Sequence, residues 1–176
     1  MIPPAETPVP AAPVHAVYPS LASNLLQRPD EANTFIIFGA SGDLTRRKLI
    51  PALYNLACAN LLPHDFAVIG FAVTPMDDDS FRASLREAIQ ESKEASAFNA
   101  QVWDAFAKNL HYITADFLSP EGYKTLSDCL LEFESKDGGR GNRLFYLATP
   151  PSFYADIVER LGTHKLVVNS NRVKDV

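Results

Sequence analysis

Cysteine is scarce in this chain: Cys58 and Cys129 are the only two among 176 residues. Two thiols cannot form the disulfide framework of a small secreted domain, and no cysteine or histidine falls at metal-ligand spacing. Both lie in predicted helices among apolar neighbours, so both are expected as buried structural thiols in a reducing, cytoplasmic setting. Long apolar runs are missing too, and nothing approaches the ~18 residues that a membrane span needs. Positive charge is in deficit: 16 Lys and Arg stand against 21 Asp and Glu, for a net charge of -5. That balance leaves no basic stripe for nucleic acid, and the one cationic triplet, Arg46-Arg47-Lys48, has a local use described below.

The apolar share, 47% with 10% aromatic, is enough for one ordinary core and argues for one domain. Residues 1–33 hold seven of the thirteen prolines with alanines between them and show no helical or strand period. This segment is expected to be a disordered Pro/Ala-rich tail. It lacks the basic start and apolar centre of a signal peptide, and its first arginine is Arg28, which argues against a transit peptide. The folded unit is expected over residues 34–168, with residues 169–176 as a separate terminus.

Residues 34–60 organise that unit. Residues 34–38 form a β-branched and aromatic run of strand length. Gly39 and Gly42 bracket Ala40 and Ser41, small residues that let the backbone turn tightly and bring its N–H groups near a bound phosphate. A helix start follows, whose unpaired donors and positive dipole end attract anions. Arg46, Arg47 and Lys48 oppose that dipole in the first turns, at ~0.3–1 kcal/mol each. They are either drawn there by an anion or merely solvated, with Asp43 offsetting part of the charge. Ile50 precedes Pro51 and is expected outside α geometry, giving a short turn to Lys48, a break that frees its side chain, and a fresh helix from Pro51.

The remaining pattern alternates strands and helices. Residues 66–71 read as a second parallel strand, reached by a right-handed crossover. Asp77, Asp78 and Asp79 cap a helix that buries Phe81, Leu85 and Ile89. Phe98, Val102, Phe106 and Leu110 mark an amphipathic helix over residues 96–109. Residues 112–114 form a brief strand with a half-buried, hydrogen-bonded His111 beside it. Ser119-Pro120-Glu121 opens a helix burying Tyr123, Leu126, Leu130 and Phe133. Residues 137–142 are a loop, 144–148 the next buried strand, and 152–161 a helix stopped by Gly162. His64 is placed in a surface loop. In such a sheet, ligands lie beyond the carboxyl ends of the strands, so residues 148–151 should share a crevice with residues 39–43.

Gly39-Ala40-Ser41-Gly42-Asp43-Leu44-Thr45-Arg46-Arg47-Lys48-Leu49 is similar to the G-A-S-G-D-L-x-x-R-K-L signature that opens glucose-6-phosphate dehydrogenases. The tyrosine-bearing helix from Pro51 to Leu56 follows it there as here. The common six-residue dinucleotide fingerprint is incomplete, because Ile37 stands where its first glycine would be. The resemblance resumes over residues 68–81, 142–151 and 158–162. It implies an α/β fold, an open parallel sheet with Rossmann-like dinucleotide-binding topology. It also implies NADP held by Gly39, Ala40, Ser41, Gly42, Asp43, Leu44, Thr45 and Arg46. The family's L-A-x-P-P turn, matched by Leu147 to Pro151, adds Ala148, Thr149 and Pro150. Lys48, aligned with the signature lysine, is placed on the substrate side, with glucose 6-phosphate as the substrate of the whole enzyme.

Two departures qualify that reading. The family arginine that pairs with the NADP 2′-phosphate is replaced by Val73, so NAD is the alternative cofactor, although no acidic residue at this strand end selects it. The family's E-K-P-F-G stretch and its histidine-bearing R-I-D-H-Y-x-G-K-E motif are both absent. Family members continue into an antiparallel-sheet domain that binds substrate and forms homo-oligomers. The chain is therefore expected to be an amino-terminal piece without the catalytic histidine and inactive alone. A short-chain reductase or epimerase is the competing enzyme reading, against which no Tyr-x-x-x-Lys occurs. A regulatory or inert nucleotide-binding fragment is the competing non-enzyme reading.

Overall fold

The computed structural model describes residues 32–63, 65–136 and 142–167. The tail up to residue 31, His64, the loop at 137–141 and the terminus from 168 lie outside the described residues, and with them the expectations placed there. Four strands, β1 (Asn33–Phe38), β2 (Phe66–Ala72), β3 (Leu110–Thr114) and β4 (Asn142–Leu147), form one sheet in the order β3-β2-β1-β4. Every pairing is parallel, so each connection must cross over a sheet face. Helices α1 (Ile50–Cys58), α2 (Asp78–Glu91) and α3 (Ala100–Ala107) cover one face, and α4 (Pro120–Lys136) and α5 (Tyr154–Thr163) the other. This is the Rossmann-like arrangement expected, and it explains why β2 is apolar throughout: all seven of its residues are buried.

Alternation along β1 divides the core. Ile37 joins Ile50, Tyr54, Phe81 and Leu85 on one side, whereas Ile36 and Phe38 join Tyr123, Leu126 and Ile157 on the other. The α2 cap is as expected: the Asp77 side chain accepts from the Ser80 N–H at 2.8 Å, and the Ser80 hydroxyl, with that N–H, holds its carboxyl below the usual range. Phe81, Leu85 and Ile89 form the buried face. His111 is half-buried, with Nδ1 3.0 Å from Asp78 Oδ2.

Several expectations need correction. Ile50 is α-helical (φ -68°, ψ -42°) despite the following proline. A π turn over Thr45–Leu49 precedes α1, and the Ile50 N–H reaches back to the Thr45 carbonyl. Pro51 falls in the first turn of α1, where its missing donor costs least, so the helix runs on without the expected break. Helix α3 is shorter than residues 96–109, because Asn99 caps it through the N–H groups of Gln101 and Val102 and Leu110 already belongs to β3. Gly162 does not stop α5, which continues to Thr163; the left-handed residue beyond it is Lys165 (φ 53°). The expected 152–161 helix is regular from Tyr154 onward, but its start at Pro151–Phe153 is a 3-10 turn. Cys58 is exposed at the end of α1, not buried, and Cys129 is half-buried. Among the described residues, no helix is long and apolar enough to cross a membrane and no metal-ligating cluster occurs.

Tyr123 lies at the centre of the second cluster, fully buried, and its hydroxyl donates to the Phe117 carbonyl at 2.8 Å. Burial pushes its phenol up to about 12, with Arg160 opposing the shift. The folded state therefore holds this proton more tightly than the unfolded chain, whose tyrosines titrate near 10. The resulting stabilisation is complete below pH ~10 and is lost as pH rises through about 12. Denaturant unfolding at pH 9 and pH 11.5 should show a larger loss of stability for the unmodified chain than for Tyr123→Phe. Equal losses would contradict this assignment.

Candidate functional site

Strand order changes direction between β1 and β4: from β1 the chain crosses to β2 and β3 on one side, then returns to β4 on the other. The loops leaving the carboxyl ends of β1 and β4 therefore diverge over a crevice, the ligand position in open parallel sheets. Gly39 leaves β1 with φ +84°, and its N–H donates to the Phe71 carbonyl of β2 at 2.8 Å. A Cβ on this residue would stand 2.4 Å from the Ala148 carbonyl oxygen and 3.2 Å from Thr149 Cγ2. Both the backbone sign and the contact with β4 thus demand glycine. The turn then closes by a Gly42 N–H to Gly39 carbonyl bond of 2.9 Å.

Helical geometry begins at Asp43, so the N–H groups of Asp43, Leu44 and Thr45 open the helix, where donors have no intrahelical acceptor. Thr45 is fully buried and its hydroxyl reaches the Gly39 carbonyl at 3.5 Å, so it braces the turn. Ala40 is also fully buried, and a Cβ on Gly70 of β2 would stand 2.8 Å from the Ala40 Cβ. The loop can sit this low on the sheet because both residues are small. Gly42 is exposed, and a Cβ there would meet only the Gly39 carbonyl, at 3.0 Å, so its outer side is open to a ligand.

Ser41 and Thr74 join the β1 and β2 loops: Thr74 Oγ1 donates to Ser41 Oγ at 2.9 Å. The Thr74 carbonyl in turn accepts from the buried Tyr112 hydroxyl at 2.8 Å. Burial raises the Tyr112 phenol above its ordinary value, a shift that Ser41 opposes. Val73, between Ala72 and Thr74, is exposed beside this link. From β4, Thr149 comes within reach of Gly39. Its Oγ1 is buried and has no hydrogen-bond partner among the described residues. An unpaired buried hydroxyl is costly, ~1–3 kcal/mol, and a polar ligand in the crevice would satisfy it. Pro150 is exposed and leads into the 3-10 turn.

The cations separate. Arg47 pairs with Asp43 at 3.3 Å, both exposed, a contact of about 0–1 kcal/mol at most. Lys48 is exposed, as expected, but its side chain is ion-paired with Glu94. Glu94 is held there because the Asn55 side chain of α1 donates to its carbonyl at 2.8 Å and accepts from the Ser96 N–H at 2.6 Å. Arg46 is half-buried and forms no ion pair among the described residues. Arg46, Arg47 and Lys48 border a polar hollow of about 580 Å³ against the end of α2, which also includes Lys93 and Glu94. Thus the glycine loop and Thr149 meet between the ends of β1 and β4, Val73 is exposed at the end of β2, and Lys48 lies on a separate hollow. Sequence pattern did not single out Thr74, although its place just after a strand end above the crevice is a signal for it. Glu94 carried no such signal.

Comparison with known proteins agrees with this geometry. Residues 36–175 match a family model described as "Glucose-6-phosphate dehydrogenase, NAD binding domain". A glucose-6-phosphate 1-dehydrogenase of Chlamydia muridarum is 43% identical over 131 residues, 74% of this chain and 26% of the relative. One from Mycolicibacterium smegmatis is 35% identical over 152 residues, 85% and 30% respectively. A solved glucose-6-phosphate dehydrogenase in complex with its substrate glucose-6-phosphate superposes with a TM-score of 0.72 at 30% identity, covering 82% of this chain and 29% of that one. The enzyme of Mycobacterium avium gives 0.66 at 31% identity, covering 77% and 28%. The chain spans under a third of the length of these relatives.

The two loop glycines should respond differently to substitution. Gly39→Ala combines a left-handed backbone with a Cβ only 2.4 Å from the Ala148 carbonyl oxygen and should cost on the order of 2 kcal/mol or more. Gly42→Ala meets a single 3.0 Å contact and should cost less than about 1 kcal/mol. Urea titration of both variants checks this; an equal loss would show that Gly39 is not the constrained residue.

Proposed function

The chain belongs to the glucose-6-phosphate dehydrogenase family, and from that premise we propose that it is the dinucleotide-holding part of an enzyme that oxidises glucose 6-phosphate. The observation that carries this reading is the crevice between the β1 and β4 loops. It combines a turn whose approach requires Gly39, an open helix start and the orphaned Thr149 hydroxyl. A nicotinamide dinucleotide fits those groups. Its pyrophosphate would lie on the N–H groups of residues 39–45, where the positive helix end favours an anion. The Thr149 hydroxyl would donate to it, with Ala148 and Pro150 forming the opposite lip.

When bound, the dinucleotide supplies the hydride-accepting ring; the residues of this chain bind and orient it. We propose NADP as the cofactor, with weak preference over NAD. Val73 offers no cation at the end of β2, and Arg46, half-buried and without an ion pair among the described residues, or Arg47 would take that part. Lys48 would serve the substrate side from its separate hollow, exchanging its ion pair with Glu94 for a substrate oxygen. Proton removal is not supplied within the described residues. His111 is held by Asp78 at the start of β3, and His164 Nδ1 lies 2.9 Å from the Arg160 carbonyl with its ring stacked on Tyr123. Neither stands over the crevice.

Calorimetric titration with NADP and NAD tests the assignment. The unmodified chain should bind both within about tenfold of each other. Val73→Arg should tighten NADP alone by roughly 1.5–3 kcal/mol through a charge-assisted bond to the 2′-phosphate. Neither preparation should oxidise glucose 6-phosphate. A thousandfold NADP preference before substitution, or turnover by these 176 residues, would overturn the corresponding part of the proposal.

A further inference from the structure

At the end of the sheet opposite the crevice, a groove of about 340 Å³ runs between the end of α1 and helix α3. Phe66, Val102 and Phe106 form its apolar walls, the amides of Asn60, Gln101 and Asn109 line its rim, and no charged side chain contributes to it. The chain enters the domain beside this groove. Asn33, the first residue of β1, pairs in register with Phe66, and its N–H donates to the Asp65 carbonyl at 3.2 Å. Everything from Met1 to Glu31 is therefore tethered at the groove's edge.

That segment is not uniform. Five of its seven prolines precede Val14, whereas Val17, Tyr18, Leu21, Leu25 and Leu26 follow, and residues 16–27 carry no charged side chain. Polar residues 27–31 then bridge Leu26 to the domain, and at 3.3–3.6 Å per residue the span from Leu26 to Ala32 reaches ~20 Å. We propose that the apolar segment 17–26 of this same chain docks in the groove between α1 and α3. An uncharged apolar segment meets an uncharged apolar groove, whose rim amides can pair with segment carbonyls. So short a tether holds the segment at an effective concentration on the order of millimolar, so even a weak contact is populated. Docking would cover the half-buried Leu62 and Val102 and the exposed Ala105 and leave the crevice open.

Hydrogen exchange on the full chain, read by mass spectrometry, tests this. Amides of residues 20–27 should exchange at least ~tenfold more slowly than those of residues 5–12. The double substitution Leu25→Asp, Leu26→Asp should abolish the difference. Ala105→Glu, at an exposed α3 position lining the groove, should do the same while leaving β2 amides protected as before. Equal exchange in the unmodified chain, or protection that survives both sets of changes, would overturn the proposal. Protection that appears only as protein concentration rises would also overturn it, by assigning the groove to the segment of a second copy.

Discussion

The Ala148 carbonyl lies 2.4 Å from the point where a Cβ on Gly39 would stand, so the loops after β1 and β4 meet only because that atom is missing. From this contact the rest of the site follows. It lowers the β1 loop onto the sheet, where Ala40 packs against Gly70, just before helical geometry begins at Asp43. It also brings Thr149 beside the loop with its hydroxyl buried and unpaired. A larger residue at position 39 would separate the strand ends and disperse every group proposed to hold the dinucleotide.

The two sheet edges are treated differently. At β3, helix α2 supplies the missing partners: Asp78 accepts from the Tyr112 N–H at 2.7 Å and the Arg82 Nε donates to the Leu110 carbonyl at 3.0 Å. Side chains thus do there what another strand would do. At β4, Leu144 and Tyr146 are exposed on the face away from α4 and α5. Beyond α5, Leu166 is buried, and its carbonyl accepts from Arg143 at 2.8 Å. The exposed apolar edge is therefore β4 itself.

What was legible in the sequence was what local chemistry decides. The strand-glycine-helix order at residues 34–50, the Asp77 cap and the Phe81-Leu85-Ile89 face all follow from short-range rules, and the structure agrees with them. What was hidden depends on distant partners or on tendencies that context overrides. Ile50 is helical because the π turn accommodates Pro51, against a preference that is only statistical. Cys58 is exposed because α1 ends there, a boundary that apolar neighbours do not reveal. The fate of Lys48 is set by Glu94, forty-six positions away, through a loop anchored on Asn55. Thr149 was placed in the site by the strand-end rule and by resemblance, but only the structure shows that its hydroxyl lacks a partner among the described residues.

The central claim is that a dinucleotide phosphate lies against the backbone of the β1 loop, and Gly42 is the position that tests it most directly. Its outer side is open, and its backbone is not left-handed, so a side chain there obstructs the ligand more than the fold. Calorimetric titration of NADP into Gly42→Val, with circular dichroism as the control for folding, should show binding abolished and secondary structure retained. Affinity equal to that of the unmodified chain, in a variant with the same circular dichroism, would contradict the account.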